Sequence, residues 1–207
     1  EKQSEILENL IAKYGQVVTS HQIYQEVGRI FDYQQTKNLV SKLVSNGWLV
    51  RIKRELYAIS NLSSRGYLNL SPYAVASLLL PESYVSFEAA LAYHGMFDQL
   101  TRKTVSLSLK MHKVVEQSGF TYTFVKTKPD YFFGWQETTF GSLSARIAEP
   151  EKALIDMVNF HKSQYSIDLV IEKLVEYKRD IDLDRLNVNL RRFPSTTSGL
   201  RPGSCGS

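Results

Sequence analysis

One stretch of this chain limits its possible folds more than any other: a polar helix, a glycine and a short basic hairpin follow one another between residues 33 and 59. At 100° per residue, the apolar side chains of residues 33–45 lie on one side of the helix, and amides, hydroxyls and ammonium groups lie on the other. Gly47 ends the helix, and strand-forming residues then flank a turn crowded with basic residues. This order predicts the recognition helix and wing of a winged helix-turn-helix, which we place within residues 1–60.

The positive charge of the chain is concentrated in the same stretch. Residues 29–54 contain six basic residues and one acidic residue, a formal charge of +5, whereas the whole chain carries +4. A local positive patch favours a polyanion through the release of counterions. We therefore predict that double-stranded DNA binds here; a solvated helix face beside an ordinary hairpin is the alternative. The candidate DNA-binding residues are His21, Gln34, Gln35, Lys37, Asn38, Ser41, Lys42, Arg51, Lys53 and Arg54.

The candidates on the helix and on the hairpin are expected to contact different parts of the DNA. Amide, hydroxyl and ammonium groups on the outer face of the helix suit base edges in the major groove. We assign this role to Gln35, Asn38, Ser41 and Lys42, and we place Lys37 on a phosphate. The basic residues of the hairpin are expected on the DNA backbone or in the minor groove.

A second helix is expected just before this stretch. Thr19 and Gln22 have the spacing of a capping box, and Gly28 follows the apolar positions of the helix. His21 lies in the first turn, where a helix N-terminus commonly touches a phosphate. A plain surface histidine explains His21 equally well.

Composition limits the class of protein. A chain of 207 residues predicts one or two domains, and 43 % hydrophobic residues are enough for a core. Cys205 is the only cysteine, which excludes an internal disulfide and a cysteine-ligated zinc site. No apolar run approaches the roughly 18–20 residues that span a bilayer. We therefore expect a cytoplasmic protein.

After a short polar linker, residues 67–194 are expected to form a mixed α/β domain with a small sheet and several helices. Ser71 and Pro72 predict the start of an apolar helix, and Ser86 predicts the cap of the next one. Alternating residues predict a mixed or antiparallel sheet with one face covered by helices. The expected strands are residues 104–109, 120–125, 131–135 and 143–147, with residues 110–119 as a polar helix or loop.

The end of the chain is predicted to be mainly helical, so that the overall fold class is α+β. Residues 149–160 form a helix with a proline and two glutamates in its first turn. Ser166 is expected to cap the next helix, and Asp182 begins the last one. The side chains expected to be buried are Leu169, Val170, Ile171, Leu174, Val175, Leu183, Leu186 and Leu190. Residues 195–207 are rich in Ser, Thr, Gly and Pro and are expected to form a flexible tail.

Four stretches of the sequence resemble the AbiEi family, the antitoxins of type IV abortive-infection toxin–antitoxin systems. They are the wing WLVRIKRELYA at 48–58, YVSFEAALAYHG at 84–95, FFG at 132–134 and AEPEKALID at 148–156. They occur in the family's order, and the resemblance covers roughly residues 1–190. One departure is Glu55, where family members usually carry glycine; if this position needs φ > 0, glutamate costs about 1 kcal/mol.

The resemblance implies a two-domain protein. An N-terminal winged helix-turn-helix domain binds operator DNA with inverted repeats and represses its own operon. A C-terminal antitoxin domain opposes a nucleotidyltransferase-like toxin encoded beside it, and this opposition does not require direct contact with the toxin. The alternative is an orphan winged-helix regulator whose C-terminal domain binds a protein partner or a small ligand.

No pattern in the sequence predicts an enzyme. The four histidines lack ligand spacing, and no glycine-rich phosphate loop is present. Asp130 and the segment 149–152 approximate a metal-dependent nuclease, but Glu151 adjoins Lys152, so the Glu-x-Lys element is missing. A helix start explains both glutamates of this segment. We therefore expect no catalytic residues, no cofactor and no metal.

Overall fold

The computed structural model describes residues 2–60, 69–99 and 101–193. Over these residues the chain has eight α-helices and two β-sheets, which confirms the α+β class. None of the described helices is both long and apolar enough to cross a membrane. The linker was predicted at 60–66; Ser60 is buried and its hydroxyl donates to the Gly47 carbonyl, while residues 61–66 and the tail predicted at 195–207 lie outside the described residues.

Residues 2–60 fold into three helices and a small antiparallel sheet of strand order β1-β3-β2. In chain order the elements are α1 (Lys2–Tyr14), β1 (Val17–Thr19), α2 (Ser20–Val27), α3 (Tyr33–Ser45), β2 (Leu49–Lys53) and β3 (Leu56–Ile59). The predicted capping box is present, because the Gln22 amide donates to Thr19 Oγ1 at 3.2 Å and Gln22 Oε1 accepts from the Thr19 amide at 2.8 Å. The three helices and three strands of residues 2–60 share one core, formed by Leu7, Leu10, Val18, Ile23, Val27, Val40, Leu43, Leu49 and Ile59.

The later residues build a six-stranded sheet of strand order β6-β7-β5-β4-β9-β8. Its elements and the helices around it are α4 (Pro72–Leu79), β4 (Ser83–Val85), α5 (Phe87–Tyr93), β5 (Lys103–Ser108), β6 (Val115–Gln117), β7 (Phe120–Lys126), β8 (Trp135–Phe140), β9 (Leu143–Ala148), α6 (Pro150–Asp156), α7 (Gln164–Glu176) and α8 (Leu183–Arg191). The β4–β9 and β5–β7 pairs are parallel and the other pairs are antiparallel. The sheet is therefore mixed, which is one of the two arrangements expected from the sequence.

Both faces of the six-stranded sheet are covered, whereas the sequence predicted one covered face. Leu107 points from one face into a core shared with α5, α6 and α7. Tyr122 and Phe124 point from the opposite face towards α4 and the β2–β3 hairpin. Ile52 and Ala58 of the hairpin are buried in this second core. The two sheets of the chain therefore share apolar packing.

Three local expectations differ from the structure. Part of the segment 110–119 forms β6, an edge strand paired with β7, instead of a polar helix or loop. The strand predicted at 131–135 is mostly a turn, because a 3₁₀ helix ends at Tyr131 and β8 begins only at Trp135. The cap of α7 is Ser163 instead of Ser166, and its hydroxyl accepts from the Ser166 amide at 3.2 Å.

Part of the apolar surface expected to be buried on α7 and α8 is exposed. Ile171 and Val175 are 55 % and 69 % exposed, and Leu183 and Leu190 are 62 % and 50 % exposed. The other expected positions on α7 include Leu169, which is buried. These two helices therefore form an outer layer that reaches the core along one side only.

A buried ion pair lies in the core beneath α6. Lys152 Nζ contacts Asp156 Oδ1, and both side chains are fully buried. Lys152 also donates to the Tyr84 hydroxyl at 2.7 Å, while the hydroxyls of Tyr84 and Ser86 donate to Asp156 Oδ2 at 3.1 and 2.7 Å. Ser86 occupies the N-cap position of α5, as predicted, but its hydroxyl makes no cap hydrogen bond to this helix because it donates to Asp156. Burial raises the pKa of Asp156 and lowers that of Lys152, and the contact between the two groups opposes both shifts.

Candidate nucleic-acid interface

Asp32 fixes the start of α3. Its carboxylate accepts from the Gln35 amide at 2.8 Å, and Gln35 Oε1 accepts from the Asp32 amide at 3.1 Å. The Thr36 hydroxyl donates to the Asp32 carbonyl at 2.8 Å. This reciprocal cap sets where the helix begins and therefore which side chains share its outer face. Gln35, which the sequence placed at a base edge, uses its side-chain oxygen to close the helix start.

The outer face of α3 is polar and exposed. The exposed side chains predicted to bind DNA on this helix are Gln34, Gln35, Lys37, Asn38, Ser41 and Lys42. Gln34 Nε2 donates to Asn38 Oδ1 at 3.1 Å, which orients the Asn38 side chain on the helix surface. The opposite face buries Thr36, Val40 and Leu43. Rotation of α3 would expose these residues, so the polar face is fixed in direction.

The β2–β3 hairpin presents three exposed basic side chains, Arg51, Lys53 and Arg54. Arg54 Nε lies 3.8 Å from Glu55 Oε1, but the two side chains are 88 % and 71 % exposed, so this pair is weak. Within the described part of the chain, no ion pair neutralises Arg51 or Lys53, nor Lys37 and Lys42 on α3. These four cations are therefore available to an external anion.

The hairpin turn contains a strained residue. Glu55 has a φ of 61°, in the left-handed region that costs a residue with a side chain about 1 kcal/mol. A bulge in the pairing between Arg51 and Lys53 precedes this turn. The Ser20 amide donates to the Glu55 carbonyl at 2.9 Å and so holds the turn against the start of α2. The position of the hairpin tip is therefore set by α2 as well as by its own strands.

The inner side of the hairpin is attached to the six-stranded sheet. Ile52 is 4 % exposed and packs in the same core as Tyr122 and Phe124. Gln117 Nε2 on β6 donates to the Arg51 carbonyl at 2.8 Å. The exposed cations of β2 are thus carried on a strand whose buried residues contact the second half of the chain.

His21 is exposed in the first turn of α2. Two backbone amides beside it are already used, since the Ser20 amide donates to Glu55 and the Gln22 amide donates to Thr19 Oγ1. A phosphate at this helix end would therefore be bound mainly through the His21 side chain.

Sequence reasoning missed Tyr33, the first residue of α3. It is 71 % exposed, and its ring stacks on Tyr24 with 5.3 Å between centroids. This contact joins α2 to the start of α3. Tyrosine hydroxyls are common phosphate donors in protein–DNA interfaces. Helical periodicity gave no signal, because Tyr33 stands seven residues before the buried Val40 and so falls on the same side of the helix.

Among residues 2–60, 69–99 and 101–193, no group of three or more His, Cys, Asp or Glu side chains is placed to hold a metal ion. A scan of the sequence against protein-family models finds no match. A search among curated proteins also finds no similar sequence. A function is therefore inferred from the residues of the chain, their contacts and the motifs that resemble a known family.

Proposed function

We propose that residues 1–60 form a winged helix-turn-helix domain that binds double-stranded operator DNA, with α3 as recognition helix and the β2–β3 hairpin as wing. The observation that carries this proposal is the set of exposed cations without ion-pair partners on both elements: Lys37, Lys42, Arg51 and Lys53. Unneutralised cations on adjacent elements release DNA counterions when they meet phosphates. The cap of α3 and the packing of the hairpin keep these groups in place before DNA arrives.

The docking arrangement follows from the chemistry of each element. Asn38, Ser41 and Lys42 on the outer face of α3 enter the major groove and meet base edges. Gln34 supports Asn38 through their side-chain hydrogen bond. Arg51, Lys53 and Arg54 lie on the backbone or in the minor groove, with Lys37, His21 and Tyr33 on phosphates. Replacement of Asn38 by Ala should reduce discrimination against a mismatched operator by about 1–3 kcal/mol.

We further propose that the chain is an autorepressor and antitoxin of a type IV toxin–antitoxin system in the cytoplasm, without enzymatic activity of its own. The support is the resemblance of four ordered stretches to the AbiEi family, including AEPEKALID at 148–156. In this proposal residues 67–194 act as the antitoxin domain and oppose a nucleotidyltransferase-like toxin. The gene beside this one should then encode such a toxin.

The salt dependence of DNA binding tests the role of the wing. We expect the plot of log affinity against log salt to become less steep by about 0.9 for each phosphate that the protein no longer neutralises. The magnitude of its slope should therefore decrease by up to about 2.7 in the triple variant Arg51→Ala, Lys53→Ala, Arg54→Ala. The measurement is a fluorescence-anisotropy titration with DNA from upstream of the gene, at several salt concentrations.

A matched control removes the same charge elsewhere. Lys162, Lys178 and Arg179 are exposed and lie at the two ends of α7. Their triple replacement by Ala should leave the slope nearly unchanged. Equal slopes for the wing variant and the wild type would exclude the hairpin as a DNA contact.

The two proposed activities can be separated by the same variants. The wing variant should lose repression of a reporter placed behind the operator, but it should still restore growth when co-expressed with the toxin. Failure of the wild-type chain to protect against the neighbouring gene product would contradict the antitoxin proposal and leave DNA binding intact.

A small-ligand regulator is the second candidate function. A cavity of about 500 Å³ lies between the hairpin and the second sheet, and its lining includes Lys53, Leu56, Ser144 and Arg146. A molecule bound there would contact Lys53, one of the proposed DNA contacts. An effector of this kind would raise the melting temperature of the chain and weaken its DNA binding together.

A further inference from the structure

A cavity of about 490 Å³ lies where the N-terminus of α6 meets the start of α8. Four carboxylates line it: Glu149, Glu151, Asp180 and Asp182. Arg185 is the only Lys or Arg among the lining residues, so the formal charge of the lining is −3 with His94 neutral. A concave surface of this charge attracts cations, although the chain as a whole carries +4.

Glu151 shows that these carboxylates are more than a solvated acidic surface. Its residue is 2 % exposed, and Oε1 accepts from the Asp182 amide at 2.8 Å. Its other oxygen, Oε2, is buried and has no hydrogen-bond donor among the described residues. The nearest cation is Arg185 Nη1, at 4.0 Å, which is too long for a hydrogen bond. A buried carboxylate oxygen without a donor is unfavourable and marks a position that a ligand group can complete.

Arg185 only partly satisfies the site. Its Nη1 lies 3.4 Å from Glu149 Oε1, and its Nη2 lies 3.8 Å from Asp182 Oδ2. The Arg185 side chain is 44 % exposed. It lies between three carboxylates at distances of 3.4 to 4.0 Å and makes a short contact with none of them. Asp180 has no ion-pair partner within the described part of the chain. Glu149 Oε1 also accepts from Gln136 Nε2 at 3.1 Å, and Asp182 Oδ1 accepts from the Arg185 amide at 2.9 Å. Glu151 Oε2 and the Asp180 carboxylate are therefore the acceptors without a hydrogen-bond donor among the described residues.

We propose that this cavity binds a second organic cation, a guanidinium or primary ammonium group. Its source is either a basic side chain of a protein partner or a free polyamine. Each group offers several donors that can be shared among Glu149, Glu151 and Asp180. Tyr93 also lines the cavity and is 38 % exposed, so its ring provides a surface for the cation. No three of the carboxylates are placed to hold a metal ion, which favours an organic cation over a metal among the described residues.

The test is a titration of the full chain with N-acetyl-L-arginine amide and with spermidine, followed by NMR. N-acetyl-L-citrulline amide, which is uncharged and similar in shape to the arginine probe, is the ligand control. We expect saturable binding of at least one cation, with shifts at Glu149 and Asp180, and none with citrulline. The cation that binds more tightly identifies the source, since only the arginine probe represents a protein side chain.

Two variants connect binding to the cavity. Asp180→Asn and Glu149→Gln each remove one carboxylate charge and should weaken cation binding at least fivefold. Asp184→Asn is the matched control, because Asp184 is exposed on the same helix as Arg185 but does not line the cavity. It should change the affinity less than twofold. Absence of saturable binding by both cations, or equal weakening by Asp184→Asn, would overturn the proposal.

Discussion

The buried Lys152–Asp156 pair allows a quantitative prediction for the stability of the fold. Lys152→Met keeps most of the volume of the side chain but removes its charge, and it leaves the Asp156 carboxylate with only the Tyr84 and Ser86 hydroxyls. Removing one partner of a buried ion pair costs about 3–5 kcal/mol. For a chain of 207 residues, each kcal/mol lowers the melting temperature by about 2–4 °C, so we expect a decrease of about 6–20 °C.

The pH dependence distinguishes a charge effect from a packing effect. Burial already raises the pKa of Asp156, and loss of the Lys152 ammonium raises it further. When folding raises the pKa of a carboxyl, the protonated carboxyl stabilises the folded state. This contribution is complete below the pKa of the unfolded chain, near 3.8, and it is lost as the pH rises through the pKa of the folded state. The deficit of Lys152→Met should therefore be smallest near pH 4 and should grow towards pH 8.

The assay is urea denaturation of the wild type and the variant at pH 5 and pH 8. Lys173→Met is the matched control, because the Lys173 side chain is also buried, at 10 % exposed, but its partners Glu172 and Glu176 are 62 % and 50 % exposed and stay solvated without it. Its cost should be about 1 kcal/mol or less. A deficit of Lys152→Met that is independent of pH would refute the reasoning, since it would assign the loss to packing alone.

Three further substitutions test local features of the fold by the same denaturation assay. Asp32→Ala removes the cap of α3 and should cost about 1 kcal/mol, and an unchanged midpoint would show that the bond to Gln35 contributes nothing. Glu55→Gly relieves about 1 kcal/mol of strain at a positive φ, while glycine costs about 0.5 kcal/mol because it gives the unfolded chain more freedom. The free energy of unfolding should therefore rise by about 0.5 kcal/mol. DNA binding should also become tighter, because a negative charge is removed. Gly134→Ala should cost about 2–4 kcal/mol, because φ is +71° and the new Cβ would lie 3.0 Å from Lys152 Cγ; a loss below 1 kcal/mol would contradict this.

Local signals in the sequence predicted local structure well. The Thr19–Gln22 capping box and the Ser71–Pro72 helix start are both present, because each depends on residues that are neighbours in the chain. The exposed polar face of α3 was also predictable, since helical periodicity alone separates Lys42 from the buried positions. The contribution of these residues to DNA binding stays a prediction.

Features that depend on distant contacts were not predictable from the sequence. Lys152 and Asp156 have the i,i+4 spacing of an ordinary surface pair, but in the fold they contact distant residues such as Tyr84, which is 68 residues away from Lys152 in the chain. Ser86 was assigned as a cap because nothing local showed that its hydroxyl reaches Asp156. The cavity at Glu151 likewise needs α8 to fold back onto α6. Such groups are brought together by tertiary packing, which periodicity cannot reveal.

The burial of Ile52 and Ala58 against Tyr122 and Phe124 has a consequence for any attempt to divide this molecule. A fragment cut after Ser60 would carry these apolar side chains on an open sheet surface, where they would favour self-association. The proposed DNA-binding region, residues 1–60, therefore depends on the six-stranded sheet for the burial of its hairpin. Since the hairpin covers part of the core, a change in the packing of the six-stranded sheet would move the strand that carries Arg51 and Lys53.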